Sequence, residues 1–223
     1  MRNWWLSRQR RRGARSADDG CLKRYLDTPL PEPNARAIDS DFLCVDLETN
    51  GLDPTTASLL SVGSVAIERG RVVLASATHR IVRANADVGI SATVHGLTDT
   101  VCAAGESLDD VLGDLLAQLE HRVLVVHYAG LDVALLDRLC RARFGAALNA
   151  PVVDTLELGR RALAGRQAGR GELRLGAMRE RYGLPAYRQH NSLTDALATA
   201  ELLLAIIAHR DSALRTRLSE LLC

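Results

Sequence analysis

Lysine is almost missing from this chain: of 28 basic residues among 223, one is Lys23 and the rest are arginine. That bias speaks of base composition more than of function. Cysteine is sparse and unpaired in pattern. Cys21, Cys44, Cys102, Cys140 and Cys223 are odd in number and show no C-x-x-C spacing, which speaks against a disulfide framework. They read as reduced thiols, and the expected setting is cytoplasmic. No stretch is read as the 18 or so apolar residues of a membrane span, so no membrane partner is expected. No apolar run follows the first charges, so no signal peptide is expected. A net charge of +1 gives no overall attraction to nucleic acid.

What is present is a compact core and a set of acids. With 47% hydrophobic residues, the chain suits one domain with an extension: residues 1–40 as a basic extension and linker, and 41–223 as the domain. Residues 41–48 are apolar, lack Pro and Gly, and read as a central strand ending in Asp46-x-Glu48. Side chains two apart on a strand share a face, so both acids project together. Carboxylate oxygens suit hard divalent ions such as Mg²⁺ and Mn²⁺. Taken alone, the pair also fits two unrelated acids at an exposed strand end.

Two further segments add acids. Val123–Val126 reads as a buried parallel strand, followed by a turn and a helix with Asp132 in its first turn. The helix dipole favours an acid there, but strand ends and helix starts are also where α/β sheets bind ligands. From Ser192, a stripe of Leu193, Ala196, Leu197, Ala200, Leu203, Leu204 and Ile207 marks a long helix, with Asn191 or Ser192 as cap and Asp195 in its first turn. His190 falls in the preceding loop. A histidine there can reach over the site that Asp195 helps build, and its ordinary titration near neutrality suits proton abstraction. A plain surface histidine is the alternative.

Together these residues resemble the DnaQ-like 3′–5′ exonucleases, in the histidine-bearing DEDDh branch. Asp46-x-Glu48 with Thr49 matches the first motif, His127-x-Ala129-x-x-Asp132 the second, and His190-x-x-x-x-Asp195 the third. Val94-His95-Gly96-Leu97-Thr98 and Val153-Asp154-Thr155 look like two lesser family segments. The likeness covers residues 41 to about 210. Two positions depart from the pattern: Tyr128 stands where the family usually has Asn, and Leu131 where it usually has Phe. Both flank the substrate cleft.

The resemblance implies a ribonuclease H-like α/β fold, with a mixed five-stranded sheet (three antiparallel strands, then two parallel) flanked by helices. It implies that Asp46, Glu48, Asp132 and Asp195 hold two Mg²⁺ or Mn²⁺ ions roughly 3.5–4 Å apart. His190 then helps activate a water that releases nucleoside 5′-monophosphates from a 3′ end. Thr49, Asn50, Gly51 and Leu52 would meet the terminal nucleotide, with Leu52 as a wedge or as ordinary turn packing. His95 is read as peripheral and His127 as a packing residue at a strand end. Single-stranded DNA is the favoured partner. Short RNA, or a catalytically silent nucleic-acid-binding module on the same fold, is the alternative. About a dozen residues follow the last motif helix, too few for a long polymerase tether, so a stand-alone nuclease is expected and a polymerase or repair partner is not deducible.

The flanking segments carry weaker signals. Arg2, Arg8, Arg10, Arg11, Arg12 and Arg15 surround Trp4 and Trp5, and Pro29, Pro31 and Pro33 follow. Such an arm either grips nucleic acid or docks on the domain as an amphipathic helix; docking is the reading taken. The Gly165–Gly171 stretch, Gly-Arg-Gln-Ala-Gly-Arg-Gly, reads as a solvated linker or a mobile phosphate-contacting loop. The linker is the expectation.

Overall fold

A computed structural model describes residues 2–18, 20–83, 97–188, 190–211 and 213–223 of the chain. Two helices, α1 (Arg2–Ser16) and α2 (Cys21–Asp27), precede three strands, β1 (Phe42–Thr49), β2 (Leu59–Glu68) and β3 (Arg71–Ile81). Then come α3 (Asp99–Ala103), α4 (Leu108–Leu119), β4 (Val123–Val126), α5 (Ala129–Phe144), β5 (Val152–Asp154), α6 (Thr155–Ala162), α7 (Leu175–Arg181), α8 (Ser192–Arg210) and α9 (Leu218–Leu221). The sheet order is β3-β2-β1-β4-β5. β1 pairs antiparallel with β2 and parallel with β4, and β5 continues the parallel side. This is the ribonuclease H-like layout expected from the sequence.

Alternation along β1 divides the core in two. Leu43, Val45 and Leu47 face a cluster with Leu112, Leu116, Leu135 and Leu136 of α4 and α5. Phe42 and Cys44 face the other side, against Ala196, Ala200, Leu203 and Ile207 of α8. Asp46 and Glu48 continue this second row, so the period-2 rule aims both acids at α8.

Residues ahead of β1 contribute to the first cluster: Ala14, Leu22, Tyr25 and Leu26 are buried in it. The fastening residue of α1 is charged. Arg10 is only 4% exposed; it donates to the carbonyls of Tyr25, Thr28 and Asn149 and lies over the Tyr25 ring. So α1 docks, as expected, but through Arg10 rather than its tryptophans, which remain exposed.

After α8 the chain holds a short helix, α9, four residues long. His95 of the Val94–Thr98 segment lies outside the described residues, although Thr98 is seen to cap α3. And α8, at 19 residues and mean hydropathy 1.4, is long and apolar enough to cross a bilayer by length and composition, contrary to the expectation that no stretch would be. Here it is a core helix packed on β1 and β2, with half of its apolar window buried.

Candidate active site

The site forms where α8 starts against β1 and β2, and a glycine makes this approach possible. Gly63 of β2 pairs with Asp46 in the antiparallel register. A Cβ on Gly63 would stand 2.1 Å from the backbone carbon of Ser192. Only a residue without a side chain lets the helix come so close. Beside it, the buried hydroxyls of Ser61 and Ser192 hydrogen-bond at 3.0 Å. Ser61 sits opposite Glu48, and the ladder shifts by a bulge between Glu48 and Thr49, a distortion common next to active sites. The sequence reading missed Gly63; a lone glycine inside a strand pattern was the available signal.

This packing brings Asp46, Glu48 and Asp195 together, each offering a carboxylate oxygen within 4.8 Å of the others. Asp132, buried in the first turn of α5, stands outside that set, but its charge raises the pKa of Asp46, and the charge of Glu48 raises its own. Burial is the largest cause of perturbation at all four acids. It pushes Asp46 and Asp132 well above the ordinary carboxylate range and raises Glu48 to about 7, with neighbouring carboxylates adding to the rise at these three; it also lifts Asp195, against the opposing hydrogen bond from the His190 amide. Glu48 Oε1 is buried without a hydrogen-bond partner. A cluster of oxygen donors that repel one another, one of them orphaned, fits a divalent cation.

The start of α5 is held from β5. Asp154 Oδ1 accepts from the amide of Tyr128 at 3.1 Å and Oδ2 from that of Ala129 at 2.9 Å, while Oδ1 also caps α6 at Leu156. Asp154 thus places Asp132 and raises its pKa through its own charge. Tyr128 adopts a left-handed backbone with φ 99°, a region in which Asn is at ease and a bulky residue is strained. The residue is 54% exposed. His127 does pack at the strand end: its ring nitrogens meet Thr155 Oγ1 at 2.8 Å and the Leu173 carbonyl at 3.0 Å. Burial lowers its pKa. Nε2–H donates to the Leu173 carbonyl, which can only accept.

His190 sits one residue before the α8 cap, Asn191, exposed and with φ 66°. Its amide donates to Asp195 Oδ2 at 2.7 Å. The loop leading to it is anchored by Arg179, whose guanidinium reaches the carbonyls of Pro185 and Ala198 and the carboxylate of Glu201, and lies over the ring of Tyr187. Sequence reading had not singled out Arg179.

After β1 the turn carries the four expected nucleotide-contacting residues. The Thr49 hydroxyl donates to the Gly51 carbonyl at 2.6 Å, and Asn50 Oδ1 accepts from the Ser58 amide at 2.7 Å. Both side chains shape the turn, and Arg138 of α5 ties it down through the carbonyls of Pro54 and Ala57. Leu52 projects from it, 86% exposed. It lines a cleft of about 900 Å³ together with Asp46, Tyr128, His190 and Asp195. Ala168, Gly169 and Gly171 also line this cleft. The Gly/Arg-rich stretch is therefore a cleft wall, not merely a linker. Arg166 pairs with Glu172, which also accepts from the Gly169 amide and is thereby held down at about 2.

The exonuclease family model matches residues 43–203. Among curated relatives, the PolC-type DNA polymerase III of Thermotoga petrophila is 28% identical over 90% of this chain, but the match covers 15% of that protein. The DNA polymerase III subunit epsilon of Aquifex aeolicus is 22% identical over 76% of this chain and 82% of its own length. The chain thus spans only a small part of the PolC-type relatives it matches. Among solved structures, Exonuclease X in complex with 5′-overhanging duplex DNA aligns with a TM-score of 0.59 and 21% identity, over 75% of this chain and 92% of that one. The nuclease domain of 3′hExo, a DEDDh family member bound to rAMP, aligns with a TM-score of 0.65 and 13% identity, over 78% and 95%. E. coli Exonuclease I in complex with a dA16 oligonucleotide aligns with a TM-score of 0.66 and 16% identity, over 79% and 42%. With its family model spanning most of the sequence, the chain belongs to the exonuclease family.

Proposed function

We propose that the protein is a metal-dependent 3′–5′ exonuclease that removes nucleoside 5′-monophosphates from nucleic acid, with single-stranded DNA as its main substrate. The observation that carries this reading is the convergence of Asp46, Glu48 and Asp195 within 4.8 Å, with Asp46 and Asp195 on the wall of a cleft that also presents His190. Asp46, Glu48, Asp132 and Asp195 would hold two Mg²⁺ or Mn²⁺ ions. Bound there, such ions supply positive charge against the charge that develops on phosphorus, and lower the pKa of water.

The chain's own groups do the rest. His190 accepts the proton of the attacking water at its imidazole, and its amide bond to Asp195 fixes the loop beside the carboxylates. Leu52 lies against the terminal base, while Thr49, Asn50 and Gly51 hold the turn that presents it. Residues 41–223 form the catalytic unit in this reading, and residues 1–40 are a helical attachment to it. The free cysteines support a cytoplasmic setting, and no membrane role is proposed. The dA16 oligonucleotide seen on Exonuclease I supports a single-stranded substrate. A silent binding module would have no need of a cluster of carboxylates beside a cleft that also presents a histidine. The purified protein, given 5′-labelled single-stranded DNA, duplex DNA and short RNA with Mg²⁺, should shorten the single-stranded DNA fastest, in one-nucleotide steps. Faster loss of RNA would reassign the substrate, and no shortening of any strand would defeat the reading.

A further inference from the structure

Helix α1 carries a face that its docking does not use. Arg10 and Ala14 are buried against the domain, whereas Trp4, Arg8, Arg11, Arg12 and Arg15 are exposed. Positions 4, 8, 11, 12 and 15 recur at the three- and four-residue steps that put side chains on one side of a helix. The helix contains no acid. Among the described residues, none of these four arginines forms an ion pair, and Arg8 instead lies 4.6 Å from the centre of the Trp4 ring. Like charges at such steps repel one another, so this face costs stability unless an anion covers it.

The face is joined to the cleft. Trp5 and Leu6 form one side of a groove of about 560 Å³, whose other side includes Ala129, Gly130 and Val133 at the start of α5. Tyr128, the next residue back, lines the catalytic cleft. Three exposed aromatic rings thus mark a path: Tyr128 at the cleft, Trp5 at the groove, and Trp4 among the arginines. Aromatic rings on which bases stack, beside cations that meet phosphates, are the usual surface for single-stranded nucleic acid. Resting on the proposed function, we propose that the strand whose 3′ end enters the cleft leaves past Tyr128, crosses the groove over Trp5, and lays its phosphates on Arg8, Arg11, Arg12 and Arg15. Tyr128, a ring where the family usually has Asn, is held in its unfavourable backbone conformation as the first stacking platform on this path.

The test uses the full chain and two readouts. Anisotropy of a labelled 16-nucleotide single strand, in EDTA so that nothing is cut, reports binding. Mg²⁺-dependent hydrolysis of a dinucleotide, too short to leave the cleft, reports the catalytic site. Arg11→Glu/Arg12→Glu and, separately, Trp5→Ala should each weaken 16-mer binding by about tenfold or more, in line with the strength of phosphate and stacking contacts. The arginine variant should also flatten the salt dependence, and both should hydrolyse the dinucleotide at the wild-type rate. Unchanged 16-mer binding in both variants, each melting like the wild type, would overturn the proposal. So would emission from Trp4 and Trp5 that responds to phosphatidylglycerol vesicles but not to the 16-mer. A wild-type protein that cuts neither substrate would defeat the exonuclease reading instead, leaving the binding arm to decide the path on its own.

Discussion

The main-chain amide of His190 donates to Oδ2 of Asp195 at 2.7 Å, across the cap of α8. One hydrogen bond therefore ties the histidine loop to a carboxylate of the acid cluster while leaving the imidazole exposed at the cleft. Replacing the ring should leave this backbone bond in place. His190→Ala is expected to cut turnover by about 10²–10⁴-fold, the range for loss of a general base. The gain in melting temperature on adding Mn²⁺ should barely change. Equal turnover in the variant and the wild type would make His190 a loop residue.

Close approach at Gly63 is the second test. Gly63→Ala drives a methyl group into the backbone of Ser192 and Leu193, which have no side-chain freedom with which to yield. Separating α8 from β2 should cost at least about 1–3 kcal/mol, as overpacking does, and should move Asp195 away from Asp46 and Glu48. Activity should fall by more than the loss of folded protein explains. A fully active, equally stable Gly63→Ala would show that the approach is not needed.

In the metal-free protein the acids should make stability depend on pH in an unusual direction. Glu48 is raised to about 7, and Asp46, Asp132 and Asp195 are raised as well, chiefly by burial. A carboxyl whose folded pKa exceeds its unfolded value near 4 binds more protons when folded, between those two values. Stability should therefore fall as pH rises from about 4 to about 7. Divalent cations bind the deprotonated form, so the melting gain from Mg²⁺ or Mn²⁺ should be small near the acid end of this window and large above it. Thermal melts with EDTA that are flat or rising across the window would contradict the electrostatic account.

Asp46→Asn removes one charge from the cluster. It should abolish nearly all turnover, yet raise the metal-free melting temperature by a few degrees, since about 1 kcal/mol corresponds to about 2–4 °C in a chain of this size. The same variant should lose most of its melting response to Mn²⁺. A variant that melts lower than the wild type in EDTA would mean that Asp46 is held by contacts rather than strained by repulsion.

What could be read from the sequence is what depends on short periods. The two-residue step of Asp46 and Glu48 on β1 and the apolar stripe of α8 each set the direction of an acid, and the ordered motifs named the fold. What could not be read depends on contacts between distant segments. Gly63 matters because of Ser192, and the hydroxyls beside that contact belong to residues 131 positions apart. Ala168, Gly169 and Gly171 line the cleft, and the neighbouring Leu173 is held by His127, 46 positions away. Asp154 belongs by sequence only to a lesser family segment, yet it fixes the start of α5 through two amides. Docking of α1 was expected to be apolar, but it runs through a buried arginine that answers three main-chain carbonyls, which no hydropathy pattern reports.

Product analysis tests the central claim most directly: that these carboxylates form a divalent-metal centre for stepwise hydrolysis from a 3′ end. Wild-type protein and Asp195→Asn would be incubated with single-stranded DNA, with Mg²⁺ or with EDTA, and the released nucleotides separated by chromatography. The account predicts nucleoside 5′-monophosphates released in order from the 3′ end, by the wild type with Mg²⁺ alone. Equal release in EDTA, release by Asp195→Asn at the wild-type rate, or 3′-monophosphate products would contradict it.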